Sequence, residues 1–194
     1  MRRLPIYILV DTSGSMKGYP IERVRAWLSE MIITLRKDPY AIEVVYISII
    51  TFDKDANLLL PLSELESVQL PNIDTVDSNT ANLGAALKML CERIDVEVNK
   101  RTPEQKGDWS PFLFILTDGK QDFNQVISRK KLKIARIVAC VMDNTANIES
   151  IRQLADHVVC LDFMDSAFQK CFSNVIMEYF YGTHRHWPVW NVLK

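Results

Sequence analysis

The chain has 194 residues, 48% of them hydrophobic and 24% charged, which is ordinary for one globular domain with a full core. Its 23 basic and 24 acidic residues give a net charge of −1, which excludes the basic footprint of a nucleic-acid-binding protein. No apolar run approaches the roughly 20 residues that a membrane span needs. We therefore expect neither nucleic acid nor a membrane as a partner.

The four cysteines form no CxxC pair, which disfavours a zinc knuckle or a thioredoxin-type motif. They lie in apolar segments, where a free thiol behaves as a small buried hydrophobe. Reduced thiols are typical of the cytoplasm, so we expect a cytoplasmic protein.

The first predicted element is a buried strand over residues 4–10, and the sequence DTSGS follows it directly. Asp11, Ser13 and Ser15 supply hard oxygen atoms with one negative charge among them, which suits Mg²⁺ or Mn²⁺. Gly14 is expected to let the backbone turn sharply, so that both hydroxyls face one point. The structural alternative is a Ser/Gly turn whose Asp or Ser caps the next helix.

Helical and extended patterns then alternate along the chain. Pro20 can begin a helix whose apolar residues recur at helical spacing as far as Leu35. Residues 44–52 predict the second strand, and the next, at residues 57–60, follows too soon for a crossover helix. We therefore expect these two strands to be antiparallel neighbours.

A second apolar run ends in the same way as the first. After a long polar connection at residues 61–82 and a predicted helix at residues 83–98, the strand at 111–117 ends in Thr117-Asp118-Gly119. Ligands collect at the carboxyl ends of strands in open α/β sheets. Two buried strands that each end in Asp and a turn therefore indicate one site, shared by Asp11 and Asp118.

The remaining pattern predicts a basic surface helix at 123–133, a strand at 134–142, a short helix at 148–154, a strand at 157–161 and a closing helix at 166–181. This alternation predicts a doubly wound α/β domain with a mostly parallel six-stranded sheet and one antiparallel edge strand. We assign residues 1–181 to this domain and residues 182–194 to an aromatic C-terminal tail that contains Trp187 and Trp190.

Together the two loops resemble those of the von Willebrand factor A (VWA) domain, whose metal-ion-dependent adhesion site has a first loop DxSxS and a later strand ending in TDG. The resemblance implies a Rossmann-like fold and a Mg²⁺ ion, or Mn²⁺ or Ca²⁺, held by Asp11, Ser13, Ser15 and Asp118. It also implies a protein–protein interaction module, in which the partner supplies an Asp or Glu to the metal.

A third loop of that family carries a Thr shortly before a small-residue helix start, roughly in the pattern TxxGxAL. Aligning this pattern on residues 84–87 puts Ala81 at the Thr position, with Thr80 as its immediate neighbour. Either the loop shifts by one residue and Thr80 contributes its hydroxyl, or this ligand is missing and water replaces it. Thr80 is therefore a further candidate metal ligand.

Residues 1–21 and 35–53 are also similar to the TerY-like VWA proteins of bacterial tellurium-resistance clusters. Membership of that group implies a cytoplasmic, metal-binding interaction protein, encoded beside a Ser/Thr kinase and a PP2C-like phosphatase. These two enzymes are then the first candidate partners, in tellurium resistance and stress signalling.

The competing functional class is a Mg²⁺-dependent phosphohydrolase, because Asp at two strand ends can also serve catalysis. The chain lacks the DxDx[TV] nucleophile loop, since Ser13 stands at its third position, and it has neither a GxxxxGK[ST] loop nor a GxSxG elbow. No general base is evident near either loop. We therefore expect a binding module and no enzyme, with a degenerate metal site on a VWA scaffold as the other alternative.

Overall fold

The computed structural model describes residues 2–120, 132–142 and 149–160. The elements in chain order are β1 (Leu4–Asp11), α1 (Tyr19–Leu35), α2 (Pro39–Val44), β2 (Val45–Phe52), β3 (Ala56–Glu64), α3 (Leu83–Glu97), β4 (Phe112–Thr117), β5 (Arg136–Val141), α4 (Glu149–Leu154) and β6 (His157–Cys160). A short 3-10 helix at Gly14–Met16 separates β1 from α1. Most of the predicted basic helix, the closing helix and the aromatic tail lie outside the described residues.

The described strands form one six-stranded sheet in the order β3-β2-β1-β4-β5-β6. Strand β1 pairs in parallel with both β2 and β4, and β5 and β6 continue the parallel arrangement. Strand β3 runs antiparallel to β2 at the edge, so the predicted fold class is confirmed. The strand order reverses between β1 and β4, and the carboxyl edge of a sheet is open to ligands at such a point.

All eight residues of β1 are buried, because helices cover both faces of this central strand. Its side chains alternate between two apolar clusters, as the period of a strand requires. Ile6 and Ile8 pack in the cluster that includes α1, whereas Tyr7 and Leu9 pack in the cluster that includes α3. Two packed faces fix the position of the loop that leaves β1.

No helix in the described ranges has both the length and the apolar character needed to cross a bilayer.

The largest differences from the sequence prediction lie at α2 and β3, whereas the other elements in the described ranges differ by one or two residues at an end. Val44 ends helix α2 and does not begin β2, because Pro39 stands in the first turn and the Asp38 carboxylate accepts the backbone N–H groups of Tyr40 and Ala41. Strand β3 continues through Pro61 to its end at residue 64. An edge strand tolerates proline, and the β2–β3 register shifts next to this position.

Candidate metal centre at the carboxyl edge of the sheet

Asp11 ends β1 with a fully buried carboxylate whose two oxygen atoms both accept hydrogen bonds. Its Oδ1 accepts the backbone N–H of Ser13 at 2.9 Å, and its Oδ2 accepts the hydroxyl of Thr117 at 2.7 Å. Thr117 is in reach because the parallel register pairs Val10 with Leu116, one residue earlier on each strand. The end of β4 therefore fixes the carboxylate at the end of β1.

Ser13 and Ser15 bring their hydroxyls together, with 3.2 Å between the two Oγ atoms. Ser13 is buried and Ser15 is half-buried. The Ser13 side chain makes no capping hydrogen bond to the short helix after it, and Gly18, not a residue of DTSGS, precedes α1. Within the described part of the chain, helix capping therefore does not account for these hydroxyls.

Asp118 follows β4 and is 1% exposed. Its Oδ1 accepts the backbone N–H of Lys120 at 3.1 Å. Its Oδ2 is buried and has no hydrogen-bond partner among the described residues, although the Lys120 Nζ lies 3.5 Å away. A buried carboxylate oxygen normally accepts a hydrogen bond, and the charge beside this one is the half-exposed Lys120 ammonium, so the atom remains available to a metal ion.

The electrostatics of Asp11 show the effect of placing two carboxylates at one edge. Burial raises the pKa of the Asp11 carboxyl, hydrogen bonds from Thr117 and Ser13 lower it, and the negative charge of Asp118 raises it again. The net pKa lies above the usual value for Asp. A divalent cation between such groups would relieve both the desolvation and the repulsion.

The long connection before α3 packs directly against the DTSGS loop. The Val76 N–H donates to the Thr12 carbonyl at 2.9 Å, and the Gly14 N–H donates to the Ser78 carbonyl at 2.7 Å. A Cβ at Gly14 would lie 3.1 Å from that Ser78 oxygen. Gly14 does not have a positive φ, so its role differs from the expected sharp turn: it admits the close approach of Ser78.

This packing also determines the surroundings of Thr80, the candidate ligand from the third loop. Thr80 is exposed, and its Oγ1 lies 3.1 Å from the Ser78 Oγ. Ala81 is buried in the apolar cluster that includes α3 and offers no side-chain oxygen. In the described structure Thr80 makes no hydrogen bond to Asp11, Ser13, Ser15 or Asp118, but Ser78 links it to the DTSGS loop.

Three residues near the site were not assigned a role from the sequence, and the first is Thr117. It could have been found because it directly precedes Asp118 on the strand beside β1. Ser78 gave no signal beyond being polar in a long connection. Lys120 follows the TDG sequence, but its distance from Asp118 is visible only in the structure.

The donor set suits a hard divalent cation, since it consists of carboxylate and hydroxyl oxygen atoms. No cluster of three or more His, Cys, Asp and Glu side chains able to hold a metal occurs in the described ranges. The candidate centre instead combines the carboxylates of Asp11 and Asp118 with the hydroxyls of Ser13 and Ser15. One of its carboxylate oxygens, Asp118 Oδ2, is buried and lacks a hydrogen bond among the described residues.

The family model for the von Willebrand factor type A domain matches residues 6–174, which include both loops of the site. The chain belongs to the VWA family. No curated protein matches this VWA domain.

Solved structures share the fold at low sequence identity. The ArnB paralog VWA2 from Sulfolobus acidocaldarius is 17% identical with a TM-score of 0.60, and the match covers 89% of this chain and 44% of that one. BatB from Bacteroides thetaiotaomicron is 18% identical with a TM-score of 0.59, covering 90% of this chain and 98% of that one. At such identities these similarities show the fold alone.

A third structure is that of proximal thread matrix protein 1 from the mussel byssus, which has a zinc-occupied MIDAS motif. It is 16% identical with a TM-score of 0.53, and the match covers 90% of this chain and 45% of that one. This VWA domain therefore spans less than half the length of the archaeal and mussel proteins.

Proposed function

We propose that this VWA domain is a metal-dependent protein–protein interaction module and not an enzyme. A Mg²⁺ ion, or Mn²⁺ or Ca²⁺ in its place, would be held by Asp11, Ser13, Ser15 and Asp118. When bound, the ion supplies a coordination position that an Asp or Glu of a partner protein can fill. The observation that carries the proposal is the buried Asp118 Oδ2, which lacks a hydrogen bond among the described residues.

The different engagement of the two carboxylates supports recognition through an incoming acid. Both oxygen atoms of Asp11 already accept hydrogen bonds from Ser13 and Thr117. Among the described residues of the site, Asp118 therefore offers the carboxylate oxygen that has no hydrogen bond. The other donors are the already hydrogen-bonded Asp11 carboxylate and the neutral hydroxyls of Ser13 and Ser15. An ion with so little anionic coordination gains much from a partner's carboxylate.

We further propose that the protein is a member of the TerY-like group, because residues 1–21 and 35–53 are similar to those proteins. On this proposal the protein acts in the cytoplasm beside a Ser/Thr kinase and a PP2C-like phosphatase, in tellurium resistance and stress signalling. The zinc-occupied motif of the mussel protein is a precedent for a metal on this fold. Mg²⁺ remains our proposed ion because the donors here are hard oxygen atoms.

Calorimetric titration of chelator-treated protein with Mg²⁺ tests the metal site. We expect one weak site in the parent chain and no measurable binding in Ser13→Ala/Asp118→Ala. The matched control is Ser63→Ala, because the Ser63 hydroxyl lies on the edge strand β3 and donates to the nearby Pro61 carbonyl, away from the site. Unchanged binding in the double variant would refute the assignment.

The partner proposal needs a second experiment with the two candidate enzymes as purified proteins. Binding of the kinase or the phosphatase should require Mg²⁺ and should be lost in Asp11→Ala, provided that circular dichroism shows this variant folded. Binding that survives both EDTA and Asp11→Ala would move recognition to another surface.

A further inference from the structure

Lys120 holds the positive charge closest to the buried oxygen of Asp118 among the described ion pairs of the site. Its Nζ lies 3.5 Å from Asp118 Oδ2, which is too long for a good hydrogen bond but close enough for strong attraction. The side chain of Lys120 is 51% exposed, whereas that of Asp118 is 1% exposed. A half-exposed cation thus faces a buried anion.

One hydrogen bond and the turn at Gly119 position the backbone of Lys120 without engaging its side chain. Its N–H donates to Asp118 Oδ1, so the same carboxylate anchors the main chain and attracts the ammonium. Gly119 between them has a φ of 70°, a conformation that suits glycine and turns the chain back toward the carboxylate. The four-carbon stem of lysine can then swing outward without moving this turn.

We propose that Lys120 is a built-in competitor for the metal. Its ammonium neutralises Asp118 while the site holds no ion, and a divalent cation must displace it to reach Oδ2. Lys120 therefore lowers the affinity of the site and sets the metal concentration at which the module becomes competent. This inference rests on the proposed metal-dependent function and adds to it the residue that tunes metal loading.

The chain offers a matched control in Lys17, which adjoins the DTSGS loop and pairs with Asp77 at 3.1 Å. Both side chains of that pair are largely exposed, at 68% and 90%. Removing Lys17 deletes the same charge near the loop without touching Asp118. Any effect specific to Lys120 must therefore arise from its contact with the buried oxygen.

Magnesium titration of four chains tests the proposal. Lys120→Gln should bind Mg²⁺ about three- to fivefold more tightly than the parent chain, which is the upper part of the range expected for release of a partly exposed ion pair. Lys120→Arg keeps the charge and should bind no more tightly than the parent chain. Lys17→Gln should stay within about twofold of it, because surface charges are screened.

Acylation of lysine amines, followed by mass spectrometry, gives a second measurement that does not depend on affinity. Addition of Mg²⁺ should raise the reactivity of Lys120, since its amine leaves Asp118, and should leave that of Lys17 unchanged. If Mg²⁺ binds all four chains equally, or Lys120 reactivity does not change, this inference is wrong and the proposed function stands. If none of the chains binds Mg²⁺, the proposed function and this inference both fail.

Discussion

The two ends of strands β1 and β4 carry charged pairs of opposite design. At the amino edge, Arg3 precedes β1 and Asp108 precedes β4, and the guanidinium donates to both carboxylate oxygens of Asp108. The Asn99 N–H donates to the same carboxylate at 2.7 Å. At the carboxyl edge, Asp11 and Asp118 bring two negative charges to the same pair of strands.

Comparing the two edges separates buried charges that stabilise the fold from buried charges that can bind a ligand. The Arg3–Asp108 pair satisfies itself, because every charge in it has a partner within the fold. The Asp11–Asp118 pair does so only in part, since the two carboxylates repel each other. Asp118 Oδ2 lacks a hydrogen bond in the described structure and has only the half-exposed Lys120 ammonium, 3.5 Å away, beside it. The buried charges at the amino edge of the sheet therefore stabilise the fold, whereas those at the carboxyl edge form a potential binding site for a cation.

The largest effect on stability is expected at the amino edge. Asp108→Ala should lower the free energy of unfolding by about 3 kcal/mol, because it removes the carboxylate that pairs with the Arg3 guanidinium and accepts the Asn99 N–H. Urea denaturation measures this loss, and it should be the same in EDTA and in Mg²⁺. Asp77→Ala is the control, since its exposed pair contributes at most about 1 kcal/mol.

The contribution of the Arg3–Asp108 pair to stability should depend on pH. Burial alone would raise the pKa of Asp108, but hydrogen bonds from Arg3 and Asn99 outweigh it and hold that pKa below the usual value. A lowered pKa stabilises the fold above the unfolded value of about 3.9, and this contribution is lost as the pH falls through the folded pKa. The stability difference between the parent chain and Asp108→Ala should therefore shrink below about pH 4, and a constant difference would contradict this account.

A smaller effect is expected from Thr117→Val, which keeps the side-chain shape but removes the hydroxyl that donates to Asp11 Oδ2. In EDTA the free energy of unfolding should fall by about 1–2 kcal/mol, because a second buried carboxylate oxygen loses its donor. Mg²⁺ should restore part of this loss, unlike that of Asp108→Ala. Equal losses in EDTA and Mg²⁺ would show that Thr117 has no connection with the cation.

The smallest effect is expected from Thr80→Ala on the third loop. If Thr80 replaces the ligand that Ala81 cannot supply, Mg²⁺ affinity should fall about threefold, or about 0.7 kcal/mol. Stability in EDTA should stay within about 0.5 kcal/mol, since Thr80 is exposed. Unchanged Mg²⁺ affinity, measured by calorimetry, would mean that water occupies this position.

The amino-acid sequence predicted the sheet well because its signals are local. Long apolar runs gave β1 and β4, and the short gap after Phe52 gave the antiparallel edge. The short helix α2 was missed because only Asp38 and Pro39 mark its start. Strand β3 was predicted too short because Pro61 normally ends a strand, and only its place at a shifted edge register makes it acceptable.

The candidate site was predictable as a set of oxygen donors but not as a network. Asp11 and Asp118 stand at recognisable strand ends, whereas the Thr117 hydrogen bond and the Ser78 contact with Gly14 depend on residues far apart in sequence. The Arg3–Asp108 pair, separated by 105 positions, gave no sequence signal at all. Such contacts follow from register and loop packing, which a single sequence does not specify.

If the carboxyl edge of the sheet binds a cation, Mg²⁺ should change the stability of the parent chain far more than that of Asp118→Asn. In EDTA the variant should be at least as stable as the parent, because removing one of two repelling buried charges outweighs the loss of the half-exposed Lys120 ion pair. With Mg²⁺ at about 100 times its Kd, the parent should gain about 2.7 kcal/mol in unfolding free energy and become the more stable of the two. If Mg²⁺ does not change the unfolding free energy of the parent chain, and the parent and Asp118→Asn are equally stable in both solutions, the carboxyl edge does not bind a cation.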